Sequence, residues 1–169
     1  TATLLVRDCF LRARIFEVMN NYTYKFRIVP NKSQQCRLAK HFGVCRYVYN
    51  HFLAYRNEVY YSTGTGSNYN NDCAVLVELK KKLAWMSEVN SQSLQRELRN
   101  LDTAFKRFFK KQAGFPKFHA KHNDKQSFRV PQKVHVKGDF LYLPKFRDGI
   151  RLRRHRLIEG KIKHATIMQ

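Results

Sequence analysis

Apolar and polar positions alternate from Tyr22 to Val29: Tyr22, Tyr24, Phe26 and Ile28 fall on one side, Thr23, Lys25, Arg27 and Val29 on the other. A period of two in aromatic and β-branched residues predicts a strand, which Pro30 ends. Asn31, followed three residues later by Gln34, reads as a helix N-cap with its capping-box partner. The period then lengthens. Leu38, Ala39 and Phe42 predict a helix over about 32–42 that Gly43 interrupts; Tyr47, Val48, His51, Phe52 and Tyr55 predict a second over about 44–61. A loop at 63–67 precedes a third helix at about 69–82, with Leu76 and Leu79 inward and Lys80, Lys81 and Lys82 at the end where cations suit the helix dipole. The fourth, about 91–112, follows an Asn90-Ser91 cap. Leu94, Leu98, Leu101, Phe105 and Phe108 recur there at spacings of four and three, before Gly114 closes the helix and Pro116 prevents its continuation.

The period of two returns after residue 126, predicting strands at 127–130, 133–137, 140–143, 150–154 and 161–168, with Lys137-Gly138-Asp139 as a hairpin turn. The strand at 22–29 needs partners for its backbone and its aromatic face, and the later strands are the expected ones. The fold class expected is therefore α+β: a small antiparallel β-barrel interrupted by a four-helix insertion. Its β lobe comprises 19–30 and 119–169 and its helical lobe 31–118, with a basic cleft between them. Residues 1–18 stand outside this scheme. Their apolar run Leu4-Leu5-Val6 is broken at once by Arg7-Asp8, too short for a signal-peptide core, and the first methionine is Met19. They are expected to be an upstream tail, non-native or disordered, with a short amphipathic helix as the alternative.

Charge changes the picture most. The 169 residues carry 33 Lys+Arg against 12 Asp+Glu, a net +21, and fourteen of those net charges lie in residues 106–169. A compact domain with that imbalance repels itself unless a polyanion screens it, so nucleic acid is the expected partner. No apolar run approaches the roughly 20 residues of a membrane span. Anionic lipid is the weaker alternative because the basic stretch reads mostly as strand rather than as a helix with a strong apolar face, so no membrane partner is expected. The cysteines Cys9, Cys36, Cys45 and Cys73 form no C-x-x-C pair. They fail as a zinc site, and the last three read as small buried hydrophobes in a reducing, cytoplasmic setting.

Candidate contact residues follow from where the cations fall. Arg96, Arg99, Thr103, Arg107 and Lys110, with Lys111, ride the polar side of the fourth helix, where few acids offset them, and suit a row of phosphates. In Gly114-Phe-Pro-Lys-Phe118, Phe115 and Phe118 are placed to stack on bases or to pack a junction, while Lys117 and Lys121 hold backbone. Arg151, Arg153 and Arg154 crowd one strand beside His155 and Arg156, and such density calls for an anion. Lys25, Arg27 and Arg129 join them from other strands. Asn90, Ser91, Gln92 and Gln95 at a helix N-terminus combine capping with a candidate grip on sugar-phosphate. Arg46 and Asn50 are the base readers of an alternative, a helix-turn-helix whose 44–61 helix enters a major groove of transposon-end DNA; the large aromatics of that helix argue against it. Catalysis finds no footing. The carboxylates lie singly, no D-x-D or H-x-x-x-H pair occurs, and no glycine-rich phosphate loop is present. No catalytic residue, metal, cofactor or small-molecule substrate is expected.

Tyr24-Lys-Phe-Arg-Ile28 with Pro30 and Gln34, then Phe42-Gly-Val-Cys-Arg46-Tyr-Val-Tyr-Asn50, Leu79-Lys-Lys, Trp85, Val89-Asn-Ser-Gln-Ser-Leu94-Gln, Leu101-Asp-Thr-Ala-Phe105, Phe108-Phe109, Gly114-Phe-Pro-Lys-Phe118, Ser127-Phe, Pro131-Gln and Gly160-Lys-Ile162-Lys follow in order. Over about 19–168 this series resembles the N-terminal portion of the TnpB (OrfB) family of insertion-sequence transposase-associated proteins. The resemblance implies an RNA-guided DNA endonuclease of a mobile element, related to type V CRISPR effectors. It implies a wedge lobe, an oligonucleotide-binding-like β-barrel, interrupted by a helical recognition lobe whose first helices the family description calls a helix-turn-helix. It also implies that the lobes hold guide RNA and the guide–target RNA–DNA hybrid. Family members continue into a nuclease with three metal-binding acidic residues and a four-cysteine zinc ribbon. The sequence stops at Gln169, so cleavage, Mg and Zn are implied for those parts and not expected of this chain.

Overall fold

The computed structural model describes residues 3–7 as backbone, and 21–122 and 126–169 with their side chains. Strands β1 (Thr3–Arg7) and β2 (Thr23–Val29) precede helices α1 (Lys32–Thr63), α2 (Tyr69–Lys82) and α3 (Ser91–Phe109), with a 3₁₀ turn at Ala84–Glu88 between the last two. Strands β3 (Ser127–Val130), β4 (His135–Lys137), β5 (Phe140–Tyr142), β6 (Ile150–Arg153) and β7 (His164–Met168) follow. The chain divides into two compact units, Thr1–Ala39 with Asp124–Gln169, and Lys40–Asn123. The division falls within α1.

The first unit is an antiparallel sheet in the order β3-β7-β1-β2-β6-β5-β4, curled into a half-barrel. The expected closed barrel does not form among the described residues: β3 pairs only with β7, and β4 only with β5. Closure needs strands long enough to tilt and stagger, and β4 and β5 have three residues each. A second difference concerns β2. It pairs with β6 as expected of a later strand, but its other neighbour is β1, which also pairs with β7. Part of the expected upstream tail thus lies in the sheet, while residues 8–18 lie outside the described residues. The alternation in β2 is real: Phe26 and Ile28 are buried while Lys25, Arg27 and Val29 are exposed. Phe128, Val130, Leu141, Ile150, Leu152, Ala165 and Ile167 complete the apolar face.

The capping box forms as read. Asn31 N–H donates to Gln34 Oε1 at 3.0 Å and Gln34 N–H to Asn31 Oδ1 at 2.8 Å. Gln34 Nε2 also donates to the Gly149 carbonyl at 3.2 Å, tying the start of α1 to the sheet. At Gly149 a β-carbon would stand 2.8 Å from Phe140 Cβ, so only glycine fits there.

The second unit corrects the helix count. The expected helices at 32–42 and 44–61 are one helix, α1, so three α-helices and a 3₁₀ turn replace the four. Glycine within a helix costs only about 1 kcal/mol relative to alanine. Phe42, Val44, Cys45, Val48, Phe52 and Leu53 are buried on both sides of Gly43, and each such side chain returns about 1.5–3 kcal/mol. Of the expected inward residues, Ala39 is exposed, and of the cysteines, Cys36 is exposed, Cys73 half-buried and Cys45 buried. Caps at Asn68 and Asn90 open α2 and α3. α3 ends earlier than expected, and not through Gly114. Gln112 N–H bonds the Arg107 carbonyl and Lys111 N–H that of Phe108, a Schellman arrangement with Lys111 at φ 57° in the place glycine usually takes. No helix among the described residues is long and apolar enough to cross a membrane.

Candidate nucleic-acid interface

Residues directly opposite across an antiparallel pair share a face, so burying Phe26, Ile28 and Leu152 forces their neighbours outward. Arg27 and Arg153 are register partners, as are Val29 and Arg151, and Arg151 and Phe140. All five are exposed, and Lys25 lies two positions along β2 from Arg27. The outer face of β2, β6 and β5 is therefore cationic with one exposed ring. No side-chain ion pair or hydrogen bond among the described residues holds Lys25, Arg27, Arg151 or Arg153. Arg27 and Arg153 also line a cavity of about 530 Å³ with Pro30, Gln35, Leu38 and Gln169.

The cluster after β6 is less uniform than its sequence suggests. Arg154 meets Asp139 at 3.4 Å, Arg156 lies over the Tyr24 ring at 5.0 Å, and His155 packs at 5.1 Å from Phe26. Arg129, half-buried, hydrogen-bonds the ring of buried His164, its Nη2 standing 3.0 Å from Nδ1 and closer still to Nε2.

In the helical unit the stripe on α3 divides. Arg96 is half-buried, its Nε finding no hydrogen-bond partner among the described residues. Arg99 is exposed but lies on the Tyr69 ring at 4.9 Å. The Thr103 hydroxyl donates to the Arg99 carbonyl at 2.8 Å, an intrahelical bond. Arg107, Lys110 and Lys111 are exposed, as are Gln95, Lys117, Phe118 and Lys121. The acids expected to offset the stripe face elsewhere. Asp102 meets Arg56 and Lys106. Glu97 is buried, and burial lifts its carboxyl from 4.5 to about 7 against the opposing pull of an Asn100 hydrogen bond and the Arg96 charge.

The polar cap residues act structurally. Asn90 Oδ1 accepts from Gln92 N–H at 3.4 Å, and Ser91 Oγ accepts from Lys80 at 2.6 Å. Asn50 clamps the segment after α3: its Nδ2 donates to the His119 carbonyl at 3.0 Å and its Oδ1 accepts from His119 N–H at 2.8 Å, while Tyr49 stacks on the His119 ring at 3.9 Å. Burial and the charge of half-buried Arg46 both lower the His119 pKa. Phe115 abuts Phe105 and Phe108 edge-on at 5.6 and 5.3 Å. Sequence reasoning left Arg56 unassigned. It is buried, 2.6 Å from fully buried Asp72, and serves the core; its 3–4 spacing with Phe52 and Leu53 was the available signal. Among the described residues no group of three or more His, Cys, Asp or Glu side chains could hold a metal ion.

The family model described as "Helix-turn-helix domain" matches residues 19–65, which here hold β2 and the unbroken α1. The chain is 34% identical over 150 residues to a protein of Escherichia coli (strain K12) named "Putative RNA-guided DNA endonuclease InsQ", covering 86% of this chain and 37% of that one. A Streptomyces pristinaespiralis protein named "Putative RNA-guided DNA endonuclease" is 37% identical over 106 residues, 62% of this chain and 26% of its own. "Virulence protein VsdF" of Salmonella dublin is 33% identical over 109 residues, 58% of this chain and 92% of its own. The chain thus spans little more than a third of the longer of these relatives at most.

Proposed function

The chain belongs to the TnpB (OrfB) family, and on that premise we propose that it is the nucleic-acid-binding N-terminal module of a transposon-borne RNA-guided DNA endonuclease. It grips guide RNA and the guide–target hybrid in the cytoplasm through backbone charge and A-form shape, leaving sequence to base pairing. Cleavage is assigned to the remainder of such a protein.

The observation that carries this reading is the cross-strand pair Arg27 and Arg153. Like charges directly opposite each other destabilise a sheet. A phosphate between the two guanidinium groups converts that repulsion into charge-assisted hydrogen bonds of fork geometry. Arg151 and Lys25 extend the same face, and Arg107, Lys110, Lys111 and Lys117 give the helical unit cations of its own. The runner-up, α1 in a major groove of duplex DNA, is favoured by the family match over 19–65. It requires Asn50 to abandon both bonds to His119.

Binding of the full chain to structured element-end RNA and to element-end duplex DNA at matched salt separates the two. The module reading expects RNA to bind more tightly, with affinity falling steeply as salt rises. Replacing Arg27 and Arg153 by Ala is expected to lower the salt slope by about 1 for each phosphate no longer neutralised, with the thermal midpoint of the free protein not lowered, since the repulsion between them is removed. An unaltered slope would remove the pair from the interface, and tighter binding of the duplex would favour the major-groove reading.

A further inference from the structure

The C-terminal turns of α1 and α3 and the 64–68 loop enclose a pocket of about 410 Å³ within the helical unit. Its walls are aromatic: Tyr60, Tyr61, Phe105, Phe108, Phe109 and Phe115. Soluble surfaces seldom leave so many rings uncovered together, and Tyr61 and Phe109 are 87% and 74% exposed. The pocket also has polar groups, among them Asn57, Ser67 and Asp102, and Asp102 is already neutralised by Arg56 and Lys106. Lys106 itself lines the pocket, and Lys110 and Lys111, which follow the lining residue Phe109 in the chain, are exposed.

We propose that this pocket takes an unstacked nucleobase of a single-stranded segment, held between rings while the neighbouring cations hold its flanking phosphates. The inference rests on the nucleic-acid reading above and adds to it a second mode of contact. Charge complementarity selects this occupant. An apolar peptide would leave the lysines that follow Phe109 without counter-charges, and a second copy of the chain would bring another +21 against them. A base on a phosphodiester backbone supplies a flat π-face for the rings, hydrogen-bonding edges for Asn57 and Ser67, and anions for the lysines. The volume lies within the range of small-ligand sites.

The test uses the full chain and a short single-stranded oligonucleotide carrying 2-aminopurine, whose fluorescence falls when the base stacks on an aromatic ring. Quenching is expected with the single strand and not when the same probe is paired in a duplex. Tyr61→Ala and Phe109→Ala are each expected to abolish the quench and weaken single-strand binding roughly 5- to 150-fold. Phe109→Trp, which keeps a ring, should retain both. Because these side chains are largely exposed, the thermal midpoint should stay within a degree or two of the parent. Unquenched probe on a chain that still binds the oligonucleotide with a steep salt slope would overturn the pocket and leave the nucleic-acid reading standing. Failure of the parent to bind RNA or DNA at all would overturn both. Concentration-dependent self-association, lost in Tyr61→Ala, would give the pocket to a second copy and likewise overturn it.

Discussion

Glu97 shows how one side chain can change roles between sequence and structure. Its place in a basic helix suggests a surface counter-charge, but it is buried beside Cys45 and Tyr49, whose pKa values burial and the Glu97 charge both raise. The folded protein holds the Glu97 proton up to about pH 7, whereas the unfolded chain gives it up near 4.5. The associated stability is full below pH 4.5 and is lost as pH rises through 7, on the order of 3 kcal/mol at most. Glu97→Gln cannot ionise and still accepts from Asn100. Thermal unfolding should therefore show the variant gaining on the parent between pH 5 and pH 8; a constant difference across that range would mean the carboxyl is ionised throughout. Lys111 is a comparable case of position over type: its cationic side chain was legible, its left-handed backbone was not.

At the scale of elements, the capping box at Asn31 and Gln34, the cap at Asn90, and the alternation in β2 were all legible, because each is a local pattern with a local cause. Gly43 was misread for the opposite reason. A lone glycine is a weak breaker, and whether a helix passes through it depends on what its flanks bury. A β-carbon at Gly43 would meet nothing within 4 Å. Gly43→Ala is accordingly expected to stabilise the chain by about 0.5–1 kcal/mol, read as a raised denaturant midpoint with unchanged slope. A lowered midpoint would show that α1 needs the glycine's freedom there. The edges of the sheet were likewise beyond local reading, since strand length decides closure and strand ends are the least local feature of the pattern.

For the whole molecule the net charge of +21 sets two responses of opposite sign. Salt screens the self-repulsion of the folded chain, so its melting temperature should rise between low and moderate ionic strength. The same salt should weaken nucleic-acid binding by restoring competing counterions. Both are measurable on one preparation, by scanning fluorimetry and by a binding titration. A melting temperature that falls with added salt would indicate that ion pairs such as Arg56 with Asp72 outweigh the repulsion.

The sequence by itself determined the class of fold, the succession from β2 through helices to the later strands, and the sign of the molecule's own charge, because periodicity, caps and net charge are sums over neighbours in the chain. Which cations stay on the surface and which are paired off was a tertiary matter. Arg56 and Arg129 are drawn to buried or half-buried partners, Arg154 to an acid and Arg156 to a ring, while Arg27 and Arg153 are set face to face by strand register. The physical reason is that a charge is neutralised or exposed according to what lies beside it in space, and only packing brings residues more than a hundred positions apart into contact.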